Sequence, residues 1–119
     1  MSTRDLQHLF DRLDALAGQG GALSRIASTG EFAVDGNNYE IPRYVFAGPI
    51  EGQSPIRLGI FAGLHGDEPA GPDALVIFLT ELLRDPSRAR GYELYIYPVT
   101  NPTGYEDDTR LIAGQGFES

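Results

Sequence analysis

Apolar and polar positions follow two periods along this chain, and the changes of period mark its elements. Leu6, Leu9, Phe10, Leu13 and Leu16 recur at helical spacing, with Arg4, Asp5, Asp11, Arg12 and Asp14 opposite. This predicts an amphipathic surface helix, with Ser2 or Thr3 as its N-cap and Gly18 as its stop. After Gln19-Gly20-Gly21, residues 24–35 and 38–48 read as two strands. The turn-rich Asp35-Gly36-Asn37-Asn38 between them predicts a β-hairpin. Pro42 inside the second run points to an edge or irregular position, because proline has no N–H to donate to a ladder.

The pattern changes at Ile56. Residues Ile56 to Ala62 are almost wholly apolar, which predicts a strand buried on both faces of a sheet covered by helices. From about Gly71 to Arg84, Leu75, Ile77, Phe78, Leu79, Leu82 and Leu83 give a broad apolar helical face. Pro72 is tolerable there only in the first turn. Asp85-Pro86 ends that helix, and Tyr92 to Val99 is the next strand. Strand, helix of about four turns and strand make a βαβ unit, which favours parallel pairing with a right-handed crossover. The predicted fold class is α/β: a three-layer arrangement, with a mixed, mostly parallel sheet flanked by helices, an amino-terminal helix and a β-hairpin. Ligands of such sheets collect beyond the carboxyl ends of the strands. No repeat, low-complexity tract or domain linker is visible.

Composition narrows the partners. At 119 residues the chain suits one domain, residues 1–119, with enough length for a core. Its formal charge is −8, from nine arginines and no lysine against seventeen acidic residues. That balance argues against nucleic acid and anionic membrane as partners, since phosphate binding relies on clustered basic side chains. With no cysteine, disulfides, thiolate nucleophiles and Cys-type zinc sites are excluded. The amino terminus lacks an apolar signal core, and no apolar run approaches ~18 residues. The expected location is cytoplasmic.

The chemistry concentrates in two segments. Gly63-Leu64-His65-Gly66-Asp67-Glu68-Pro69-Ala70-Gly71 delivers an imidazole and a carboxylate, two usual zinc ligands, from a strand end into a glycine-rich bend. Spacing alone is weak evidence, because His8 and Asp11 have the same separation on a helix face exposed to solvent. The alternative for Glu68 is an acid stabilising a helix N-terminus. The second segment is Pro98-Val99-Thr100-Asn101-Pro102-Thr103-Gly104-Tyr105, followed by Arg110. Taken alone it reads as a turn, with Arg110 pairing Asp107 or Asp108 on the surface.

In order, the two segments resemble the amino-terminal half of the zinc carboxypeptidase superfamily, including its succinylglutamate desuccinylase and aspartoacylase branch. The resemblance covers about residues 56–110. It implies a zinc-dependent hydrolase in which metal-activated water attacks an amide bond next to a carboxylate-bearing group, with a peptide or acyl-amino acid as substrate. His65 and Glu68 would be metal ligands, and Arg110 would stabilise the oxyanion. Asn101 and Gly104 would shape the loop that presents Arg110. Asp67 would orient the loop or a ligand, or would simply be a solvated acid.

The same resemblance sets expectations that the chain does not meet. A third ligand, a downstream histidine, is missing, since nothing after His65 is histidine. The family's general-base glutamate and its substrate-gripping Asn-Arg pair have no counterpart either. Two readings stay open. One is an incomplete domain, the amino-terminal portion of an enzyme and inactive by itself. The other is a non-catalytic interaction or assembly module that keeps the scaffold. Both predict an uncovered sheet edge, hence self-association or a partner covering it.

Overall fold

The computed structural model describes residues 5–19, 21–28, 30–63 and 70–107. The first helix, α1, runs Leu6–Ala17. Its N-cap is Asp5, whose carboxylate accepts the His8 backbone N–H at 3.2 Å. The cap therefore falls later than Ser2 or Thr3, at the acid that directly precedes the first buried leucine. Leu6, Leu9, Phe10 and Leu13 face the core, while His8 is exposed.

The hairpin turns where expected. β2 (Glu31–Val34) and β3 (Asn37–Glu40) pair antiparallel around Asp35 and Gly36. Both turn residues have positive φ, 50° and 80°, the two-residue geometry that an Asp-Gly pair favours. The two long strands expected here are each broken, however. β1 (Leu23–Ile26) pairs with β4 (Arg43–Ala47) in the main sheet, and β2 with β3 in a sheet of their own. The break spends positions 27–30 on one side and only Ile41 and Pro42 on the other. This mismatch bends the ribbon, with Pro42 buried at the bend where no ladder donor is required. The Ile41 N–H donates to Gly30 C=O at 3.0 Å and the Ser28 hydroxyl to the same oxygen at 2.8 Å.

The main sheet adds β5 (Ile56–Phe61) and β6 (Tyr92–Tyr97), in the order β1-β4-β6-β5. β5 and β6 are parallel, in register from Ile56↔Tyr92 to Phe61↔Tyr97; β4 is antiparallel to β6 and β1 antiparallel to β4. The sheet is mixed and flanked by helices, as the α/β class requires, although two of its three pairings are antiparallel rather than the mostly parallel set expected. Between β5 and β6 lie α2 (Ala70–Arg84) and a short 3-10 turn, Pro86–Ala89.

Core packing is one-sided among the described residues. Leu23, Tyr44, Phe46, Leu94 and Ile96 project from one sheet face and join Leu9 and Leu13 of α1 with Leu75, Leu79 and Leu82 of α2. β5 differs from its expected burial. Among the described residues it is an edge strand, with Ile56 60%, Leu58 47% and Phe61 65% exposed. An apolar run specifies that a strand can be buried, but a neighbour must supply the burial. Ile77 and Phe78 of α2 are likewise exposed.

Exposure should set the cost of truncation along α2. Leu79→Ala, at a fully buried position, is expected to destabilise by about 2–5 kcal/mol, and Ile77→Ala by under ~0.5 kcal/mol. Urea unfolding followed by circular dichroism measures both.

Candidate functional site

The carboxyl ends of the two parallel strands are locked together. Ala62 N–H donates to Tyr97 C=O at 2.9 Å, Thr100 N–H to Ala62 C=O at 3.0 Å, and Asn101 N–H to Gly63 C=O at 2.9 Å. The Thr100 hydroxyl also donates to Ala62 C=O, at 3.2 Å. Gly63 has φ +67°, and a Cβ there would lie 2.9 Å from the Val99 Cα. Only glycine can turn the chain this tightly against its neighbour. At the start of α2, a Cβ on Gly71 would stand 3.4 Å from the Ala62 Cβ. The chain thus leaves β5 at Gly63 and re-enters α2 at nearly the same point.

His65 and Glu68 lie between those two anchors, outside the described residues, as does Asp67. Their convergence on a metal is a matter for the function proposed below. Among the described residues, no group of three or more His, Cys, Asp or Glu side chains is arranged to hold a metal ion.

The second segment is more ordered than a turn. Pro102–Asp107 is a short helix, α3, and Asn101 caps it. The side-chain oxygen of Asn101, in a residue 2% exposed, accepts the Gly104 N–H at 3.1 Å, and its carbonyl accepts the Tyr105 N–H at 3.0 Å. Proline at the first helical position suits this, because its missing N–H would have had no helical partner. Asn101 and Gly104 therefore shape the start of α3. The signal was present in the sequence: Asn followed by Pro is a helix-start signature as well as a turn dipeptide. Tyr105 is buried in the core, and Glu106 accepts the Tyr39 hydroxyl at 2.8 Å. Tyr39 in turn stacks on Phe32, so the hairpin tethers the far end of α3. Arg110, three residues beyond α3, lies outside the described residues.

A polar cluster stands behind this region. Tyr44 donates to the Asp14 carboxylate at 2.6 Å, and Arg25 pairs with Asp14 at 2.9 Å and with Glu40. Burial, and then the bond to Asp14, push the Tyr44 hydroxyl above its ordinary pKa; it stays a donor at physiological pH. The Arg25 guanidinium also lies 5.7 Å from the Phe10 ring centroid and 5.8 Å from that of Tyr44. A groove of about 950 Å³ between α1, the hairpin and α3 is lined by Asp5, Phe10, Glu31, Phe32, Tyr39 and Glu106. Neither Gly63 nor Asn101 lines it, so it is separate from the joined strand ends.

Neither a protein-family model nor a curated protein sequence matches the chain. Solved structures do. A candidate metallopeptidase from Shewanella amazonensis SB2B is 24% identical with a TM-score of 0.66, over 92% of this chain and 37% of that one. A succinylglutamate desuccinylase/aspartoacylase from Rhodobacter sphaeroides is 25% identical, TM-score 0.55, over 79% of this chain and 28% of that one. Thrombin activatable fibrinolysis inhibitor, a zinc carboxypeptidase, is 17% identical, TM-score 0.59, over 86% of this chain and 26% of that one. The chain has a partial zinc carboxypeptidase-like fold. It spans little more than a third of the length of the first of these structures and about a quarter of the other two.

Two substitutions test the joined strand ends. Gly63→Ala should cost at least about 1–2 kcal/mol from its left-handed backbone alone, with the clash at Val99 adding to it. Asn101→Ala should cost about 0.5–2 kcal/mol through the lost cap, and Asn101→Asp, which keeps an accepting oxygen, should cost less. Thermal unfolding ranks all three. An Asn101→Ala variant as stable as the parent would mean that the cap is dispensable.

Proposed function

We propose that residues 1–119 form the amino-terminal portion of a zinc-dependent hydrolase of carboxypeptidase or amidohydrolase type. Its substrate would be a peptide or acyl-amino acid with a carboxylate-bearing group beside the scissile amide. The supporting observation is the hydrogen-bonded junction of Ala62 and Gly63 with Thr100 and Asn101. This junction anchors both chemistry-bearing segments at one end of a parallel strand pair, where ligands of such sheets collect. The likeness in fold to metallopeptidase and aspartoacylase structures agrees with it.

In this reading His65 offers an imidazole nitrogen and Glu68 a carboxylate oxygen to the metal. Both are donors that zinc accepts, although cobalt, nickel and manganese share that preference. The metal, when bound, supplies a Lewis acid that lowers the pKa of a coordinated water. Arg110, always charged and with planar donors, stabilises negative charge developing on the carbonyl oxygen. α3, held by the Asn101 cap and the Tyr39–Glu106 bond, ends three residues before Arg110 in the sequence. Two protein ligands are fewer than the ~3 of a catalytic zinc site, so residues 1–119 alone should bind zinc weakly and hydrolyse poorly. The other reading, an assembly module without catalysis, draws on the same shortage of ligands.

Zinc affinity by competition with a chromogenic chelator tests the ligand assignment. His65→Ala and Glu68→Ala are each expected to weaken binding by about tenfold or more, since even groups supporting a ligand are worth about 10–100-fold. His8→Ala, with the same spacing on an exposed helix face, should change nothing. Equal zinc binding by the parent and His65→Ala would reject the assignment. A coding sequence that continues with Asn-Arg, a later His and a later Glu favours the enzyme; a genuine stop favours the module.

A further inference from the structure

The stretch that carries His65 and Glu68 is strung between two chain ends that touch. On the strand side, Ala62 is fixed. Its N–H donates to Tyr97 C=O at 2.9 Å, and its C=O accepts both the N–H and the hydroxyl of Thr100, at 3.0 and 3.2 Å. On the helix side, buried Pro72 and Leu75 hold the first turns of α2 in place. Where the two sides meet, a Cβ on Gly71 would stand 3.4 Å from the Ala62 Cβ and 3.9 Å from the Gly63 nitrogen. Residues 64–70 leave and return through this point. Extended, a stretch of that length would reach roughly 25 Å. The folded strand and helix, not the stretch itself, therefore set how close its ends lie.

We propose that Ala62 and Gly71 are positioning residues for the metal ligands, acting through the narrow strand–helix contact they make. The inference rests on the assignment of His65 and Glu68 proposed above and adds what holds them. Gathering two ligands at one ion costs chain entropy, and that cost falls when the ends of the stretch are already joined. With two ligands in this chain, no third compensates for a base that opens. Residue size at 62 and 71 is then the controlling quantity. Glycine is a poor residue inside a helix, and Gly71 has no left-handed backbone to require it. What calls for it is the Ala62 methyl, which leaves room at 71 for one carbon and little more.

Zinc affinity of the 119-residue chain, by chelator competition, tests the proposal with substitutions at these two positions. Gly71→Ala fits the gap and suits the helix, so it should bind zinc as the parent does. Gly71→Val has a branched side chain that is stiff in a helix and extends past a contact already made. It should bind zinc about tenfold more weakly, with its circular dichroism unchanged.

Ala62→Cys/Gly71→Cys supplies the opposite case, and decides the matter even where Gly71→Val unfolds. The chain has no other cysteine, and the Cβ separation of 3.4 Å approaches the ~3.5–4.5 Å of a disulfide. The pair should cross-link without loss of helix. A disulfide offers zinc no thiolate, so the oxidised chain reports the effect of the locked base alone, and should bind zinc at least as tightly as the parent. His65→Ala is the control. Unchanged zinc binding by His65→Ala would overturn the ligand assignment and this inference with it. Binding weakened by His65→Ala but equal in the parent and a folded Gly71→Val would overturn the positioning role alone. So would two cysteines that fail to cross-link, or a cross-linked chain that has lost its zinc affinity.

Discussion

The parallel pairing of β5 with β6 is the constraint on which the arrangement rests. A parallel pair needs a crossover, and here α2 and the 3-10 turn fill it, so three buried leucines of α2 are laid across the sheet face that β6 completes. The same pairing carries both chain directions to one end of the sheet. There Gly63 and Asn101 share a hydrogen bond, although 38 positions separate them in the sequence. Sliding the register by one residue would turn Leu94 and Ile96 out of the core and break the bond between Gly63 and Asn101. Gly63 guards this geometry, since its backbone conformation and its closeness to Val99 both exclude a side chain.

Polar groups support the apolar core from its margin. Arg25 joins Asp14 of α1 to Glu40 of the hairpin and lies close to the Phe10 and Tyr44 rings. It ties three elements that the bend at 27–30 and 41–42 would otherwise leave loosely connected. Tyr44 presents its ring to the core and its hydroxyl to Asp14, so the cluster costs no unsatisfied donor. No buried side-chain nitrogen or oxygen among the described residues lacks a partner. Tyr39 serves in the same way at the other end, linking the hairpin to α3. The hairpin thus acts as a brace for the segment that leads toward Arg110.

Local signals were readable where the physics is local. The leucine spacing of α1, the Asp35-Gly36 turn, the proline in the first turn of α2 and the βαβ order all act over a few residues, and all are present. Asn101-Pro102 suits a turn and a helix start alike; burial of Tyr105 favours the helix. The break in the hairpin leaves no mark on composition, because each half is strand-like. The break comes from unequal residue counts on the two sides, which appears only once the partners are aligned. The apolar run of β5 suits burial, yet the strand is exposed among the described residues, because composition reports what a strand tolerates and not whether a neighbour is there.

Residue order alone thus carried the element types, the α/β class and the two segments in which imidazole, carboxylate and guanidinium chemistry is concentrated. These depend on periodicity, capping and side-chain identity, which are properties of short stretches. Three-dimensional packing settled which strands are neighbours, that β5 ends the sheet among the described residues, that Gly63 touches Val99, and that Tyr39 meets Glu106. Such contacts join positions tens of residues apart. Their stability comes from surface removed from water and groups paired across that distance, and no local pattern records it.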